Sequence, residues 1–479
     1  VSDTRNALDS FFSISARGST IGREIRGGLA TFLTMAYIVV LNPFIIGNKP
    51  DVEGQFIGDG SAANLTLVAA GTAFVAGVLT ILMGLVARVP FAMAAGLGLN
   101  AFVTFNIATV MSWEEAMGLV FLEGVIIAVL VLTGLRTAVF HAIPAQLKTA
   151  ISVGIGLFIA LIGFVDAGFV RRVAAGPPLE LGIGGALTSW PIFVFVIGLL
   201  VTVVLVARKV KGAILLGIVG STVLALIVDF VAKPGLFGPD NPGGFQLNQP
   251  SQPGPLAMEN PLSLFTEFDP FGAFGRVQVL LVALLIFTLL ITDFFDTMGT
   301  IVGVGKQADL VAEDGTLPRT REILLVDSIG AAAGGAGSVS SNTTYVESAA
   351  GVGEGARTGL ASVVTGLLFL VAVFFAPLVK IVPYEAAAPA LVVVGFLMMT
   401  SIRNIDWDDY EVAIPAFLTI VIMPFTYSIS NGIGAGFISY VLIKAVRGKS
   451  REVHPLMWGV AGAFLFFYAI GPVKILLGL

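Results

Sequence analysis

The fold class predicted for this chain is an all-α polytopic membrane protein, and two observations carry the prediction. Of 479 residues, 56% are hydrophobic and 12% charged. The apolar residues recur in runs of about 16 to 25, the length that crosses roughly 30 Å of hydrocarbon at about 1.5 Å per residue. A soluble domain of this size needs about twice that share of charge to cover its surface, so the net charge of -5 says little about partners.

The spans predicted first are 27–47, 66–87, a short Gly/Ala-rich 90–105, 116–135, 144–165, 190–208 and 213–232. After a Pro/Gly-rich stretch at 233–275 come 276–303, 321–337, a short 342–356, 358–379, 385–402, 411–427 and 430–446. Each set holds seven members, and the short, glycine-interrupted third member of one set lies about 247 residues from that of the other. Two halves with odd span counts have opposite orientations, so the prediction is fourteen spans as two inverted seven-span repeats, with short extended stretches in spans 3 and 10. Paired interrupted segments of this kind point to a transporter binding site, because discontinuous helices expose backbone groups at the midplane.

With the N-terminus inside, inward loops and span ends carry nineteen Lys and Arg residues against six outward, which agrees with the positive-inside rule. The first apolar stretch follows an Arg-containing lead without a small-residue cleavage site, so a cytoplasmic N-terminus without a cleavable signal is expected. Leu456 to Leu477 is left as either a fifteenth span or an interfacial helix.

The chain has no cysteine and two histidines, His141 and His454. Thiolate chemistry is thereby excluded, and no metal, cofactor or nucleic-acid partner is expected. Gly96 and Gly98 lack the Lys-Ser/Thr of a phosphate loop and are read as close-packing glycines.

Charged side chains near a bilayer centre cost at least a few kcal/mol each, so they are candidates for function. Those predicted inside the membrane are Glu123, Asp293, Asp296, Asp327 and Glu347. Asp166 and Asp229 fall near span ends and are read as reaching headgroups or water. Asp293 and Asp296 lie three residues apart on one helix and share a face. They cannot both be charged cheaply, and one is expected to hold a proton. Glu347 follows the extended-favouring NTTYV and opens ESAAG, a half-helix start that should bring N–H groups to the glutamate. AGLGLNAFVTF repeats the arrangement in the first half, with Asn100 at the matching place. Glu123 and Asp327 are either supporting partners of the resulting pocket or satisfied packing carboxylates, and the hydroxyls of Thr344 and Ser348 are further supporting candidates. Tyr37 and the phenylalanines are read as packing.

The motifs TFLTMAYIVVLNP, AAGLGLNAF, FFDTMGT and NTTYVESAAGVGEGARTGL together closely resemble the AzgA-like purine permeases, the adenine/guanine/hypoxanthine branch of the nucleobase transporters related to uracil and xanthine permeases. The resemblance implies a core domain of spans 1–4 and 8–11 (27–135 and 276–379) and a gate domain of spans 5–7 and 12–14 (136–232 and 380–447). Around these lie a cytoplasmic segment at 1–26, an extracellular loop at 233–275 and a C-terminal hydrophobic segment at 448–479.

It further implies purine import by proton symport across the cell membrane, elevator-type motion of core against gate, and a homodimer through the gate domains. Asn100, Asp293 and Glu347 then resemble the base-binding residues, with a backbone amide from Val346 and an aromatic contribution from Phe102. Asp293, Asp296 and Glu347 become the candidates for proton coupling. Glu347 is followed by Ser348, where the xanthine and uracil branches have Asn and then glycines, which argues against those bases as main substrates.

An anion transporter or channel of the same architecture is the alternative, although acidic groups around the pocket oppose it. Enzymatic activity is not expected: the two aspartates share one helix, unlike an aspartyl protease dyad, and no Ser-His arrangement exists.

Overall fold

A computed structural model describes residues 7–58, 60–134, 143–172, 179–310 and 317–477. His141 lies outside the described residues. In chain order the helices are α1 (Ile21–Gly47), α2 (Leu65–Ala87), α3 (Leu97–Ile107), α4 (Trp113–Thr133), α5 (Ala145–Asp166), α6 (Trp190–Ala207) and α7 (Ala213–Ala232). There follow α8 (Val279–Gln307), α9 (Thr320–Ala336), α10 (Ser348–Gly353), α11 (Gly359–Ile381), α12 (Tyr384–Asn404), α13 (Tyr410–Thr426), α14 (Ile429–Val446) and α15 (Pro455–Leu477). Two three-residue strands, β1 (Met93–Ala95) and β2 (Asn342–Thr344), precede α3 and α10. Among the described residues, ten helices are long and apolar enough to cross a membrane.

Side-chain caps set several helix starts. Ser112 and Glu115 form a reciprocal capping box at α4, with the Ser112 N–H donating to Glu115 Oε2 at 3.0 Å, which satisfies two otherwise orphaned donors. The start of α11 is capped by Glu24 from α1, whose carboxylate accepts from the Arg357 N–H at 2.8 Å and the Thr358 N–H at 3.2 Å. Helix α1 itself is interrupted by a turn at Ala36 and Tyr37 before resuming at Ile38. Its last turn, Pro43–Gly47, widens to π geometry, as expected where proline removes a backbone donor.

Two bundles emerge from the packing. In one, α4 lies on α9, α11 on α1 and α2, and α8 on α4; in the other, α5 lies on α12 and α13, α13 on α14, and α6 on α7 and α12. With no solvent to drive helices together in lipid, close backbone approach supplies the attraction. A Cβ at Gly77 of α2 would stand 2.9 Å from the Gly366 carbonyl oxygen of α11, and one at Gly156 of α5 would stand 2.7 Å from the Gly395 carbonyl oxygen of α12. Helix α15 packs along α14 and touches α8.

Ionic and polar contacts join the bundles at both ends. Lys49, beyond α1, pairs with Asp166 of α5 at 3.3 Å, and Tyr384 of α12 donates to the Phe44 carbonyl at 3.0 Å. At the opposite end Glu354, just past α10, pairs with Arg26 at 2.9 Å and with Lys211 from the α6–α7 turn. Asp166 and Asp229 therefore differ from the sequence expectation. Both are buried and partnered, Asp229 accepting from Gln249 at 2.9 Å and from Ser251. The 233–275 stretch folds back to supply those partners, which hydropathy does not reveal.

Candidate functional site

The site begins where the two interrupted segments meet. Strands β1 and β2 pair antiparallel with Met93 opposite Thr344, Ala94 opposite Thr343 and Ala95 opposite Asn342. The ladder extends through the Gly96 N–H to the Ser341 carbonyl and the Tyr345 N–H to the Ala92 carbonyl, both at 2.9 Å. Non-helical backbone at membrane depth is tolerable only if its polar groups are satisfied inside the protein, and here each broken segment satisfies the other. The outer edges are closed by side chains. Thr80 of α2 accepts from the Met93 N–H at 2.9 Å, and Ser348 accepts from the Ala92 N–H at 3.0 Å.

Asp327 of α9 does the same for β2. Its Oδ1 accepts from the Thr344 N–H at 3.1 Å and the Thr344 hydroxyl at 3.0 Å, and its Oδ2 accepts from the Thr297 hydroxyl of α8 at 2.8 Å. Asp327, Thr344 and Ser348 thus hold the ladder in place.

Against this ladder lies a cavity of about 80 Å³ lined by Tyr37, Gly96, Leu97, Gly98, Asp296, Thr300, Thr344, Tyr345, Val346 and Glu347, and closed by Val394 and Met398 of α12. It adjoins a smaller space that shares Gly98, Asp296 and Met398 and reaches Lys148 and Ser152 of α5. The cavity therefore occupies the seam between the bundles. Every acidic or hydroxyl side chain on its wall comes from the first bundle, whereas α12 presents only apolar groups. A larger groove of about 1240 Å³ between α5 and α13 is lined mainly by Leu157, Phe164 and Phe425 and contains none of the membrane carboxylates.

Glu347 stands at the cap position of α10, half-buried, and accepts from the Tyr37 hydroxyl at 2.5 Å. Val346 beside it is 59% exposed and contributes to the cavity lining. Asp296 also opens to the cavity.

The remaining predicted residues lie elsewhere. Asn100 is fully buried and donates from Nδ2 to Asn42 Oδ1 at 2.6 Å; Asn42 in turn donates to the Thr72 hydroxyl at 2.8 Å and the Val339 carbonyl at 3.1 Å. Phe102 is fully buried in the core. Asp293 is fully buried against Glu123 of α4. None of the three lines the cavity.

The backbone donors expected at α10 are partly occupied, since the Ala349 N–H donates to the Val346 carbonyl at 3.0 Å and the Ala350 N–H to the Glu347 carbonyl at 2.9 Å. Tyr37, read from the sequence as packing, instead lines the cavity and bonds Glu347, and Thr300, Val394 and Met398 were not singled out from the sequence. For Tyr37 a signal existed: a phenol within a span, six residues before a proline that interrupts it.

A family model, Xan_ur_permease, described as "Permease family", matches residues 22–435. The chain belongs to this family. The permease is 39% identical over 466 residues to the guanine/hypoxanthine permease PbuG of Bacillus subtilis (strain 168), covering 96% of this chain and 99% of the relative. It is 36% identical over 460 residues to the adenine permease AdeP of Escherichia coli (strain K12), covering 96% and 95%. In structure the permease resembles the transmembrane domain of the cyanobacterial bicarbonate transporter BicA, with TM-score 0.57 and 15% identity over 88% of this chain and 97% of that one. It also resembles murine Slc26a9 in the inward-facing state, with TM-score 0.58 and 13% identity over 93% and 74%. At those identities the likeness concerns the fold alone. The protein is a membrane transporter and not an enzyme.

Proposed function

We propose that this permease imports purine nucleobases, adenine, guanine or hypoxanthine, across the cell membrane with its N-terminus in the cytoplasm. The observation that carries this reading is the pair of carboxylates, Glu347 and Asp296, on one wall of a small cavity between the two bundles. A purine is a flat, neutral molecule whose ring and exocyclic N–H groups need acceptors. Carboxylates supply them, and leaving such an edge unpaired costs about 1 to 3 kcal/mol per group. The same carboxylates repel an anion, which disfavours the alternative of anion transport. The close relatives' names, guanine/hypoxanthine and adenine permease, support the same substrate class.

Within this reading Glu347 and Asp296 accept from the base, Tyr37 orients Glu347, and Val346 presents its side chain to the ring. Asn100 acts through Asn42 to hold the α3 segment in place. The expectations for Phe102 and for direct base contact by Asp293 gain no support from where those side chains lie.

The two bundles act as core and gate of two inverted seven-span halves. Because the polar wall belongs wholly to the core and the gate contributes Val394 and Met398, the base can travel with the core past an apolar surface, as an elevator requires. Proton symport drives the cycle, and a homodimer through the gate leaves the core mobile.

The test is thermal stabilisation of purified protein by adenine, guanine, hypoxanthine, xanthine and uracil at two pH values. Stabilisation by one or more of the first three, lost in Glu347→Ala, is expected. Stabilisation by uracil or xanthine alone, or by none, overturns the reading.

A further inference from the structure

Outside the cavity, one buried group of titratable side chains is left without a role by the reading above. Glu123 of α4 and Asp293 of α8 are both 0% exposed, and none of their four carboxyl oxygens receives a hydrogen bond of good geometry. The two carboxyls stand against each other, with the Ser341 hydroxyl beside Glu123. The charged groups acting on the pair from the elements packed around it are all acidic: Asp327 of α9 and, one turn along α8, Asp296. Asp327 is committed to Thr297 and to Thr344, so it offers the pair no donor. Close packing seals one side, where a Cβ at Gly124 would sit 2.8 Å from the Ser328 carbonyl oxygen of α9.

Two carboxylates so placed cannot both be charged, because the cost of burying an unpaired ion is many kcal/mol and each adds repulsion to the other. A single proton shared between them removes one charge and supplies the missing hydrogen bond. The geometry points to Glu123 and Asp293 as a proton-binding site of this transporter, in which a carboxyl pair holds the coupling proton one helical turn from the base-facing Asp296. The proposal rests on the transport reading and deepens it. It moves the proton from the cavity wall to a dry site behind it and gives Glu123 a role as carrier. Loss of that proton would put charge next to Asp296 along α8, and so would couple the proton to the wall that faces the base.

The experiment uses the full-length permease in proteoliposomes. Glu123→Gln, which mimics a permanently protonated carboxyl, is expected to retain base binding by thermal shift and base-for-base exchange. It should lose uphill accumulation at least tenfold and flatten the pH dependence of uptake. Infrared spectroscopy of the parent at neutral pH should show the carbonyl band of a neutral buried carboxylic acid, diminished in Glu123→Gln or Asp293→Asn and restored in Glu123→Asp. Accumulation at the parent's level with an unchanged pH profile overturns the proposal, because a merely structural pair predicts that result. Absence of the carboxylic-acid band from the parent overturns it equally, and decides the matter even if both variants fail to fold. If the parent binds no purine, the transport reading fails, while the infrared result still tests the pair.

Discussion

The Tyr37 hydroxyl donates to Glu347 Oε1 at 2.5 Å, joining the interruption of α1 to the cap residue of α10 across 310 positions of sequence. A hydrogen bond to a charged acceptor holds the carboxylate in one orientation and contributes more than a neutral one. The orientation of Glu347 at the cavity wall depends on it.

Replacing that phenol is therefore the most direct test of the site. Tyr37→Phe keeps the ring and its packing but removes the donor, at a cost of about 1.5 to 3 kcal/mol. The expected outcome is base binding roughly 10- to 100-fold weaker with an unchanged elution profile. Titration calorimetry with the preferred purine reads it, and unchanged affinity would remove Tyr37 from the site.

The cavity lining can be mapped chemically because the chain has no cysteine. Val346→Cys should react with a membrane-permeant maleimide and be protected by bound purine, since Val346 is 59% exposed. Phe102→Cys, at a fully buried position, should be unreactive. The reverse pattern would restore the sequence expectation for Phe102.

Asp296→Asn should weaken purine binding and abolish accumulation, because it replaces an acceptor on the cavity wall with a group that is half donor. Uptake by energised cells and thermal shift with purine measure the two effects separately. A variant that concentrates base as well as the parent would exclude Asp296 from recognition.

Asp327→Ala leaves three donors without an acceptor, the Thr344 N–H and the Thr344 and Thr297 hydroxyls. At about 1 to 3 kcal/mol for each buried group left unpaired, the β1–β2 ladder should loosen. A large fall in melting temperature is expected, less in Asp327→Asn, which keeps one acceptor oxygen.

Gly77→Val tests the close approach of α2 and α11. Its new atoms would meet the Gly366 carbonyl, 2.9 Å from the Cβ alone, and the Leu370 side chain. Overpacking of this kind costs about 1 to 3 kcal/mol, and thermal unfolding in detergent should show a melting temperature lower by several degrees.

Much of this architecture was legible in advance. Runs of apolar residues and their polar breaks located most helices to within about four residues, with α1 beginning six residues earlier and α3 seven residues later than expected, because a bilayer imposes length and composition on whatever crosses it. The extended NTT and the glycine-rich AGLGLN were likewise readable as interruptions, since β-branched residues and glycines disfavour continuous helix. The price of burying charge also marked Glu347, Asp296, Asp293, Glu123 and Asp327 as the residues to examine.

Tertiary structure alone decided where each of them sits and what it faces. Asp293 and Asp296 differ by three positions and share a helix face, and only the rotation of α8 against α4 turns Asp296 to the cavity and Asp293 to Glu123. Asn100 and Glu347 read as matching places in sequence, yet Glu347 caps α10 while Asn100 lies inside α3, and Asn42 captures the second of these and Tyr37 the first. Such choices depend on partners 58 to 310 residues away, and the periodicity of a single helix holds no record of what will stand opposite it.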